Sequence, residues 1–295
     1  MKILICGGHG QLGSDCLQVL QGPHEVLALA SNELDITNSS EVDKVIGYYV
    51  PDVIINCAAY TNVDSCETEK ESAWKVNAEG PENLGSRVAK YGGLLIHISS
   101  DYVFDGRKKP PEGYVEDDEP RPLSYYGRTK LEGEVAVMRT TDQHIILRTA
   151  WLYGIHGRNF LKTILRIALR NPDKKLKVVN DQFGSPTWSY RLALQIAALI
   201  EQNGRGIYHA AGEGYCTWYE LADHFLREIG VQHSLIPCTS EEYPTPAIRP
   251  RNSILENQRL KRANNNLMKN WYHDVNQFVS NFQEQLVNEA IKAIS

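Results

Sequence analysis

The sequence lacks a strong excess of charge of either sign. Its 295 residues include 36 acidic and 31 basic side chains, which gives a net charge of −5 with histidine neutral. Proteins that bind duplex nucleic acid usually present a basic face, so we expect no nucleic-acid partner. Hydrophobic residues make up 42% of the chain and charged residues 23%. This composition supports a sizeable core and is unlike that of a disordered chain.

Long apolar runs are missing as well. No stretch approaches the ~20 apolar residues that cross a bilayer, so we expect no membrane partner. The first ten residues reach glycine-rich turn chemistry at once, which leaves no room for a signal peptide. We therefore expect a soluble, cytoplasmic protein.

Cysteine is present without the spacing of a metal or redox motif. The six cysteines contain no Cys-x-x-Cys pair and lie at Cys6, Cys16, Cys57, Cys66, Cys216 and Cys238. The nine histidines show no ligand spacing either. The sequence thus predicts no metal site, and reduced thiols fit the cytoplasm.

Two periodicities alternate in the first half of the chain. Short apolar runs typical of strands buried on both faces occur at Lys2–Cys6, Glu25–Ala30, Asp52–Cys57, Leu94–Ile98 and Ile145–Thr149. Between them, helical patterns occur at Leu12–Leu20, Asn38–Tyr49, Ser72–Tyr91 and Tyr125–Arg139, with Asn38 and Ser72 as candidate caps. Strand and helix in alternation predict an α/β fold with a Rossmann-type, doubly wound parallel sheet.

In the second half of the chain, strand and helix patterns alternate less regularly. Helices are predicted near Phe160–Leu169, Arg191–Gln202, Tyr219–Ile229 and Val275–Ile294, with a strand at Leu176–Asn180. We therefore divide the chain into a dinucleotide-binding domain at 1–150 and a smaller α/β substrate-binding domain at 151–295. Part of the segment 175–205 is expected to return to the first domain.

A glycine-rich segment follows the first predicted strand directly. It reads Gly7-Gly8-His9-Gly10-Gln11-Leu12-Gly13 and leads into a helix. This order places free backbone N–H groups and a helix dipole where a pyrophosphate can bind. The alternative is a glycine-rich turn without a ligand. The second strand ends in Ala28-Leu29-Ala30-Ser31-Asn32. This segment contains neither the acidic residue typical of NAD sites nor the arginine typical of NADP sites. The choice between NADH and NADPH therefore stays open.

Three polar side chains form a candidate catalytic set. Tyr126 and Lys130 lie four residues apart at the start of a predicted helix, and Ser100 ends the fourth predicted strand. Ligands of doubly wound sheets bind at that strand end. Tyr126 could donate a proton to a carbonyl oxygen, with Lys130 as the nearby cation and Ser100 polarising the carbonyl. A surface aromatic and a turn serine are the structural alternatives.

Several further segments complete a recognisable pattern. They are Asn56-Cys-Ala-Ala-Tyr60-Thr-Asn-Val-Asp64, Asn77, Ser99-Ser-Asp-Tyr-Val-Phe-Asp-Gly106, Arg148-Thr-Ala-Trp151-Leu-Tyr-Gly154, Asp181-Gln-Phe-Gly-Ser-Pro-Thr187 and Arg249-Pro-Arg-Asn-Ser253. With the glycine segment and the Tyr126/Lys130 pair, they resemble the extended short-chain dehydrogenase/reductases, and among these the dTDP-4-dehydrorhamnose reductase family.

This resemblance implies a reaction and a set of site residues. NADPH or NADH would reduce the C4 ketone of dTDP-4-dehydrorhamnose, with Ser100, Tyr126 and Lys130 as catalytic residues, Ser100 standing where the family usually has threonine. The implied cofactor-binding residues are Gly7, Gly10, Gln11, Leu12, Gly13, Asp35, Ile36, Ala59, Tyr60, Thr61, Asn77, Tyr126 and Lys130. The implied substrate-binding residues are Val63, Ser100, Asp101, Tyr126 and Trp151.

The resemblance leaves alternatives open. Dehydratases of the superfamily carry an Asp–Glu pair after the fourth strand, whereas here Tyr102 follows Asp101, which disfavours dehydration. Another nucleotide-sugar reductase or epimerase remains open, as does a regulatory subunit of methionine adenosyltransferase. Some family members dimerise through Mg²⁺; Asp15 stands at one such acidic position, but Tyr190 stands at another. A monomer and a homodimer are both compatible with the sequence.

Overall fold

A computed structural model describes residues 1–294. Within this range the strands are β1 (Lys2–Cys6), β2 (Glu25–Leu29), β3 (Val53–Asn56), β4 (Leu94–Ser100), β5 (His144–Thr149), β6 (Leu152–Tyr153), β7 (Lys175–Val179), β8 (Phe183–Gly184), β9 (Thr187–Trp188), β10 (Gly206–His209), β11 (Cys216–Thr217), β12 (Ser234–Cys238) and β13 (Asn252–Ser253). The α-helices are α1 (Gln11–Leu20), α2 (Ser39–Tyr49), α3 (Lys70–Trp74), α4 (Gly80–Tyr91), α5 (Tyr125–Thr140), α6 (Phe160–Arg170), α7 (Ser189–Glu201), α8 (Trp218–Glu228), α9 (Gln258–Arg262) and α10 (Trp271–Lys292).

The central sheet has the strand order β2-β1-β3-β4-β5-β10, and every neighbouring pair is parallel. The chain passes from β1 to β2 on one side and then crosses to β3 on the other side of β1. The order therefore reverses beside β1, and ligands of such sheets bind at the carboxyl ends of the strands at this point. The predicted doubly wound parallel sheet is confirmed.

Alternate strand residues feed two separate cores, as the period of two in a strand requires. In β1, Ile3 and Ile5 join a core formed with α1 and α7 on one face of the sheet. Leu4 and Cys6 join a second core formed with α2, α4 and α5 on the other face. Burial on both faces explains why the strands read as nearly continuous apolar runs.

The second half of the chain builds a third core from the apolar faces of α6, α8 and α10. Strands β7 and β12 pair in parallel beside these helices. Two elements of the second half pack with the first: α7 contributes Leu192 and Ile196 to the core against α1, and β10 pairs with β5 at the edge of the central sheet. The division at residue 150 stays a prediction.

One predicted helix differs from the observed structure. The sequence predicted a helix from Ser72 to Tyr91, with Ser72 as its cap. The chain is already helical from Lys70, passes through a π-helical turn at Lys75–Glu79 and continues as α4. Ser72 therefore lies inside a helical turn and caps nothing, whereas the Asn38 side chain accepts a hydrogen bond from the Glu41 backbone N–H at the start of α2, as predicted.

Candidate active site

The glycine-rich loop joins β1 to α1 at the point where the strand order reverses. Gly7 has a φ of +73°, and a Cβ there would lie 2.8 Å from the Ala58 backbone nitrogen of the loop after β3. A Cβ on Gly13 would overlap the Gly7 carbonyl oxygen. Only glycine allows the two loops and the first turn of α1 to approach this closely.

This loop fits the pyrophosphate of a dinucleotide. Gly10 precedes α1, and no side chain in residues 1–294 caps this helix end. Its first N–H groups and the positive end of the helix dipole therefore remain available to an anion. Leu12 points its side chain into the core, so it offers a ligand its backbone. Gln11 accepts a hydrogen bond from the Asn159 side chain at 2.8 Å, which ties the loop to the second half of the chain.

An acidic side chain lies at the end of β2, where the sequence analysis found none. The Glu33 carboxylate accepts a hydrogen bond from the Ala30 N–H at 2.9 Å and lies 4.0 Å from the His9 imidazole of the glycine loop. An acid about 20 residues after the glycine motif typically binds the cofactor ribose. That spacing from Gly13 was the signal that could have identified Glu33.

Asp35 and Ile36 lie in the loop that follows, the first exposed and the second buried. The Asp35 carboxylate accepts hydrogen bonds from the backbone N–H and the hydroxyl of Thr37, at 2.9 and 2.8 Å. The Ile36 side chain is buried in the core against Gly80. The exposed Asp35 side chain and the backbone of this loop are therefore the groups that can face an adenosine.

Asn77 holds the loop after β3 in place. Its side chain accepts a hydrogen bond from the Tyr60 N–H at 2.8 Å and donates to the Tyr60 carbonyl at 3.1 Å. It also donates to the Thr129 hydroxyl of α5 at 3.0 Å. Asn77 is fully buried, so it fixes this loop from the protein interior. Ala59 and Thr61 lie on either side of Tyr60, the residue that Asn77 holds.

Ser100 and Asp101 lie at the carboxyl end of β4, as predicted. The Ser100 hydroxyl donates to the Asp101 carboxylate at 2.8 Å and accepts from the Tyr102 N–H at 3.2 Å. Asp101 is buried, and burial raises the pKa of its carboxyl to about 6. The serine hydroxyl thus lies beside Asp101 at the mouth of the crevice.

Tyr126 and Lys130 are brought to the same place by α5. Ser124 caps this helix through a hydrogen bond from the Gly127 N–H at 3.1 Å. Burial raises the pKa of the Tyr126 phenol, and a hydrogen bond with the Ser100 side chain opposes that shift. The Lys130 ammonium is buried and donates to the Ile98 carbonyl of β4 at 2.7 Å. Burial lowers the pKa of Lys130 to about 8, although the Glu134 carboxylate acts in the opposite direction.

A buried ion pair supports this arrangement and was not anticipated from the sequence. Arg148 of β5 donates twice to the Glu134 carboxylate of α5, at 2.9 and 2.7 Å. The Ser99 hydroxyl donates to the same carboxylate. Glu134 lies one helical turn after Lys130, so the pair fixes α5 against the strand end that carries Ser100. The signal in the sequence was an acid four residues after Lys130.

The remaining predicted substrate residues lie on loops that meet across the crevice. Val63 precedes Asp64, whose carboxylate forms a two-point ion pair with Arg249 at 2.9 Å for each contact. The Arg249 guanidinium thus joins the two halves of the chain. Trp151 stacks on Trp218. Trp218 was not among the site residues predicted from the sequence.

A cavity of about 600 Å³ opens next to these loops. Its basic lining residues are Lys177, Arg249 and Arg251, and its aromatic ones are Phe160, Trp218 and Tyr243. Positive charge beside aromatic rings suits a nucleotide, because the rings can stack on a base and the guanidinium groups can pair with phosphate.

Residues 1–294 contain no group of three or more His, Cys, Asp or Glu side chains placed to hold a metal ion. Asp15, the candidate Mg²⁺ ligand, is buried between α1 and α7, where it accepts a hydrogen bond from the Ser189 hydroxyl. In the same part of the chain, no helix combines the length and apolar character that a membrane span needs.

Comparison with known proteins accords with this geometry. A sequence model of the family described as RmlD substrate binding domain matches residues 1–284. A dTDP-4-dehydrorhamnose reductase of Aggregatibacter actinomycetemcomitans is 42% identical over 276 residues, which are 89% of this chain and 92% of that protein. The chain belongs to the dTDP-4-dehydrorhamnose reductase family.

Solved structures of dTDP-4-dehydrorhamnose reductases are similar over almost the whole chain. The Clostridium acetobutylicum protein is 42% identical with a TM-score of 0.92, covering 96% of this chain and 100% of that one. The Bacillus anthracis protein, in complex with NADP, is 36% identical with a TM-score of 0.91, covering 95% and 99%. The predicted family and Rossmann-type fold are confirmed. As a member of this family, the chain is an NAD(P)H-dependent oxidoreductase.

Proposed function

We propose that the protein reduces the C4 ketone of dTDP-4-dehydro-β-L-rhamnose with NADPH or NADH to give dTDP-β-L-rhamnose, the last step of dTDP-L-rhamnose synthesis. The observation that carries this proposal is the convergence of Ser100, Tyr126 and Lys130 at the end of β4. The substrates named for the relatives support the choice of sugar.

Each catalytic residue has its own role at the ketone oxygen. When bound, the reduced nicotinamide supplies a hydride to the carbonyl carbon. Tyr126 donates its phenolic proton to the oxygen, and its raised pKa keeps that proton in place at neutral pH. The Ser100 hydroxyl, which donates to Asp101 in the free protein, turns to donate to the same oxygen and stabilises the charge that develops there. Lys130 places a cation close to Tyr126 and favours the phenolate that forms.

The cofactor is proposed to lie across the switch point of the sheet. The backbone of Gly7, Gly10, Gln11, Leu12 and Gly13 binds the pyrophosphate. The loop of Asp35 and Ile36 borders the adenosine. The segment of Ala59, Tyr60 and Thr61, held by Asn77, contacts the middle of the dinucleotide, and Tyr126 and Lys130 contact its nicotinamide half.

The nucleotide sugar is proposed to lie between the two halves of the chain. Val63, Ser100, Asp101, Tyr126 and Trp151 surround the sugar, and the 600 Å³ cavity receives the nucleotide. Lys177 and Arg251 line that cavity and can pair with the diphosphate, whereas the Arg249 guanidinium is held by Asp64. The protein is overall acidic, so these local donors, rather than net charge, attract an anionic substrate.

The proposal is tested by incubating the purified protein with dTDP-4-dehydrorhamnose and either reduced cofactor. We expect the absorbance of the reduced nicotinamide to fall and dTDP-rhamnose to form. A panel of nucleotide 4-keto sugars serves as the control for substrate identity. Folded protein that leaves the cofactor reduced, or that prefers another 4-keto sugar, would contradict the proposed substrate.

We propose the cytoplasm as the site of action. The six cysteines all lie in residues 1–294 and are all unpaired, which suits a reducing compartment. The choice between monomer and homodimer, and any dependence on Mg²⁺, stay open predictions, to be checked by sedimentation with and without chelator.

A further inference from the structure

We propose that Trp218 and Gly184 are positioning residues that together hold the indole of Trp151 at the substrate site. The proposal rests on the proposed function, because it takes Trp151 as a wall of the sugar site.

The indole rings of Trp151 and Trp218 are stacked and nearly parallel. Their ring centroids are 3.5 Å apart and their planes differ by 6°. Trp218 is itself fixed at the start of α8, where its indole N–H donates to the Gln182 side chain at 3.2 Å. Phe160 packs against it from α6 at 4.7 Å between centroids. The ring that supports Trp151 is thus anchored by α8, by α6 and by the loop that carries Gln182.

Gly184 of strand β8 lies against the Trp151 indole. A Cβ at this residue would overlap several atoms of the Trp151 indole, its Nε1 among them. Any larger side chain would therefore displace the indole. The absence of a side chain at residue 184 and the stack on Trp218 define one place for the Trp151 ring.

The Trp151 backbone adopts a conformation that needs such support. Its φ is +44°, in the left-handed region, which a bulky residue rarely occupies. Conformations of this kind are strained and persist where the surroundings fix them, often at functional sites.

The stacked pair lies between the catalytic strand end and the nucleotide cavity. Ser100 is in register with Thr149 of β5, and Trp151 follows two residues later. Trp218 lines the 600 Å³ cavity together with Arg249. A substrate that places its nucleotide in the cavity and its ketone at Ser100 must pass this pair, so the orientation of the indoles sets where the sugar lies.

We expect Trp218→Ala to raise the KM for the nucleotide sugar about 3- to 10-fold, the size of one lost ring contact. The KM for the reduced cofactor should not change, and kcat should change less than the sugar KM. Trp218→Phe keeps a ring and should recover most of the wild-type KM. Gly184→Ala, which leaves Trp218 in place, should raise the same KM by displacing Trp151.

Circular dichroism reports the stack directly, because two closely stacked indoles couple their electronic transitions. The wild type and Trp74→Phe should show an exciton couplet, since Trp74 ends α3 and lines a separate pocket beside α5. The couplet should disappear in Trp218→Ala and Trp218→Phe and change in Gly184→Ala. This readout needs no substrate and also shows whether each variant is folded.

The outcomes separate the two proposals. A couplet that persists in Trp218→Ala, or a sugar KM that is unchanged in Trp218→Ala although the couplet is lost, overturns the positioning role while the reductase stands. An equal rise in the cofactor KM also overturns it, because that result indicates a general disturbance. A wild type with a couplet and no turnover overturns the proposed function, and the positioning role falls with it.

Discussion

Tyr126 carries the proton of the proposed reaction, and its burial keeps that proton bound at neutral pH. We expect Tyr126→Phe to lower kcat by about 10²- to 10⁴-fold, the usual contribution of general acid catalysis. Binding of the reduced cofactor, measured by fluorescence titration, should be nearly unchanged. Tyr125→Phe, one residue earlier on α5, is the matched control and should retain activity. Full activity in Tyr126→Phe would show that another group donates the proton.

The buried ammonium of Lys130 predicts a pH limit on the alkaline side. Its pKa is lowered to about 8 by burial, so the cation is complete below that pH and is lost as the pH rises through it. The phenolate that forms on Tyr126 then loses its neighbouring charge. We expect kcat to fall above pH 8, as measured by a kcat–pH profile at saturating substrates. A profile that stays flat well above that pH would mean that Lys130 keeps its proton or is not required.

Glu33 predicts a cofactor preference. Its carboxylate lies at the end of β2, where it can bind a ribose hydroxyl and would repel a 2′-phosphate. We expect Glu33→Gln to raise kcat/KM with NADPH relative to NADH, measured with both cofactors at one ionic strength. Glu41→Gln, in the following helix, is a control that alters the same net charge. An unchanged ratio would place the ribose away from Glu33.

The glycine loop and Ser100 were predictable from the sequence because they lie at strand ends, and Tyr126 and Lys130 because they lie four residues apart at the start of a predicted helix. Glu33 was missed because the interpretation stopped at Asn32, whereas the chain turns back and returns the acid to the strand. Trp218 was missed for a different reason. Its partner Trp151 is 67 residues away in the sequence, and no local pattern links the two rings.

Among the elements, α5 depends on one buried ion pair. The Glu134 and Arg148 side chains are 0% and 3% exposed, so removing one leaves the other charged and unpaired in the core. We expect Glu134→Ala to lower the free energy of unfolding by about 3–5 kcal/mol, measured by urea denaturation. Glu82→Ala is the control, because its pair with Arg139 lies on the surface and is worth about 0–1 kcal/mol. Equal losses in both variants would argue against a special role for burial.

The longer helices and the first five strands of the central sheet were predictable, and their bounds agree to within a few residues. The π-helical turn at Lys75–Glu79 was not. An α-helical period continues on both sides of it, so apolar spacing alone predicts one regular helix. The turn sets the direction of Asn77 toward Tyr60 and Thr129, and a contact of this kind becomes visible only in three dimensions.

For the whole molecule, the central sheet and its covering helices are not contained in the first 150 residues. The fragment 1–150 lacks α7, which covers α1, and β10, which borders β5. We expect this fragment to lack a cooperative unfolding transition, because the apolar face around α1 stays exposed. Thermal denaturation followed by circular dichroism, with the full chain as reference, provides the test. A sharp transition in the fragment would show that the first half folds alone.

The sequence indicated that part of 175–205 returns to the first half, because Arg191–Gln202 reads as a buried helix. It did not indicate β10, whose four residues, Gly206–His209, alternate too briefly to be distinguished from a loop. Strands of two residues, such as β8 and β13, have no period at all, and their pairing is decided by the tertiary fold.

The place of β10 in the sheet has a consequence for the order of synthesis. Parallel strands pair only after the connection between them has been made, and contacts that are distant in sequence form slowly. A ribosome that has released the segment through β5 has made every catalytic residue, but the sheet still has an open edge at β5 and α1 still has an uncovered face. Both are completed once the residues up to 209 have emerged. A nascent chain paused between these points would expose a strand edge and an apolar surface together, the two features that recruit chaperones or promote aggregation.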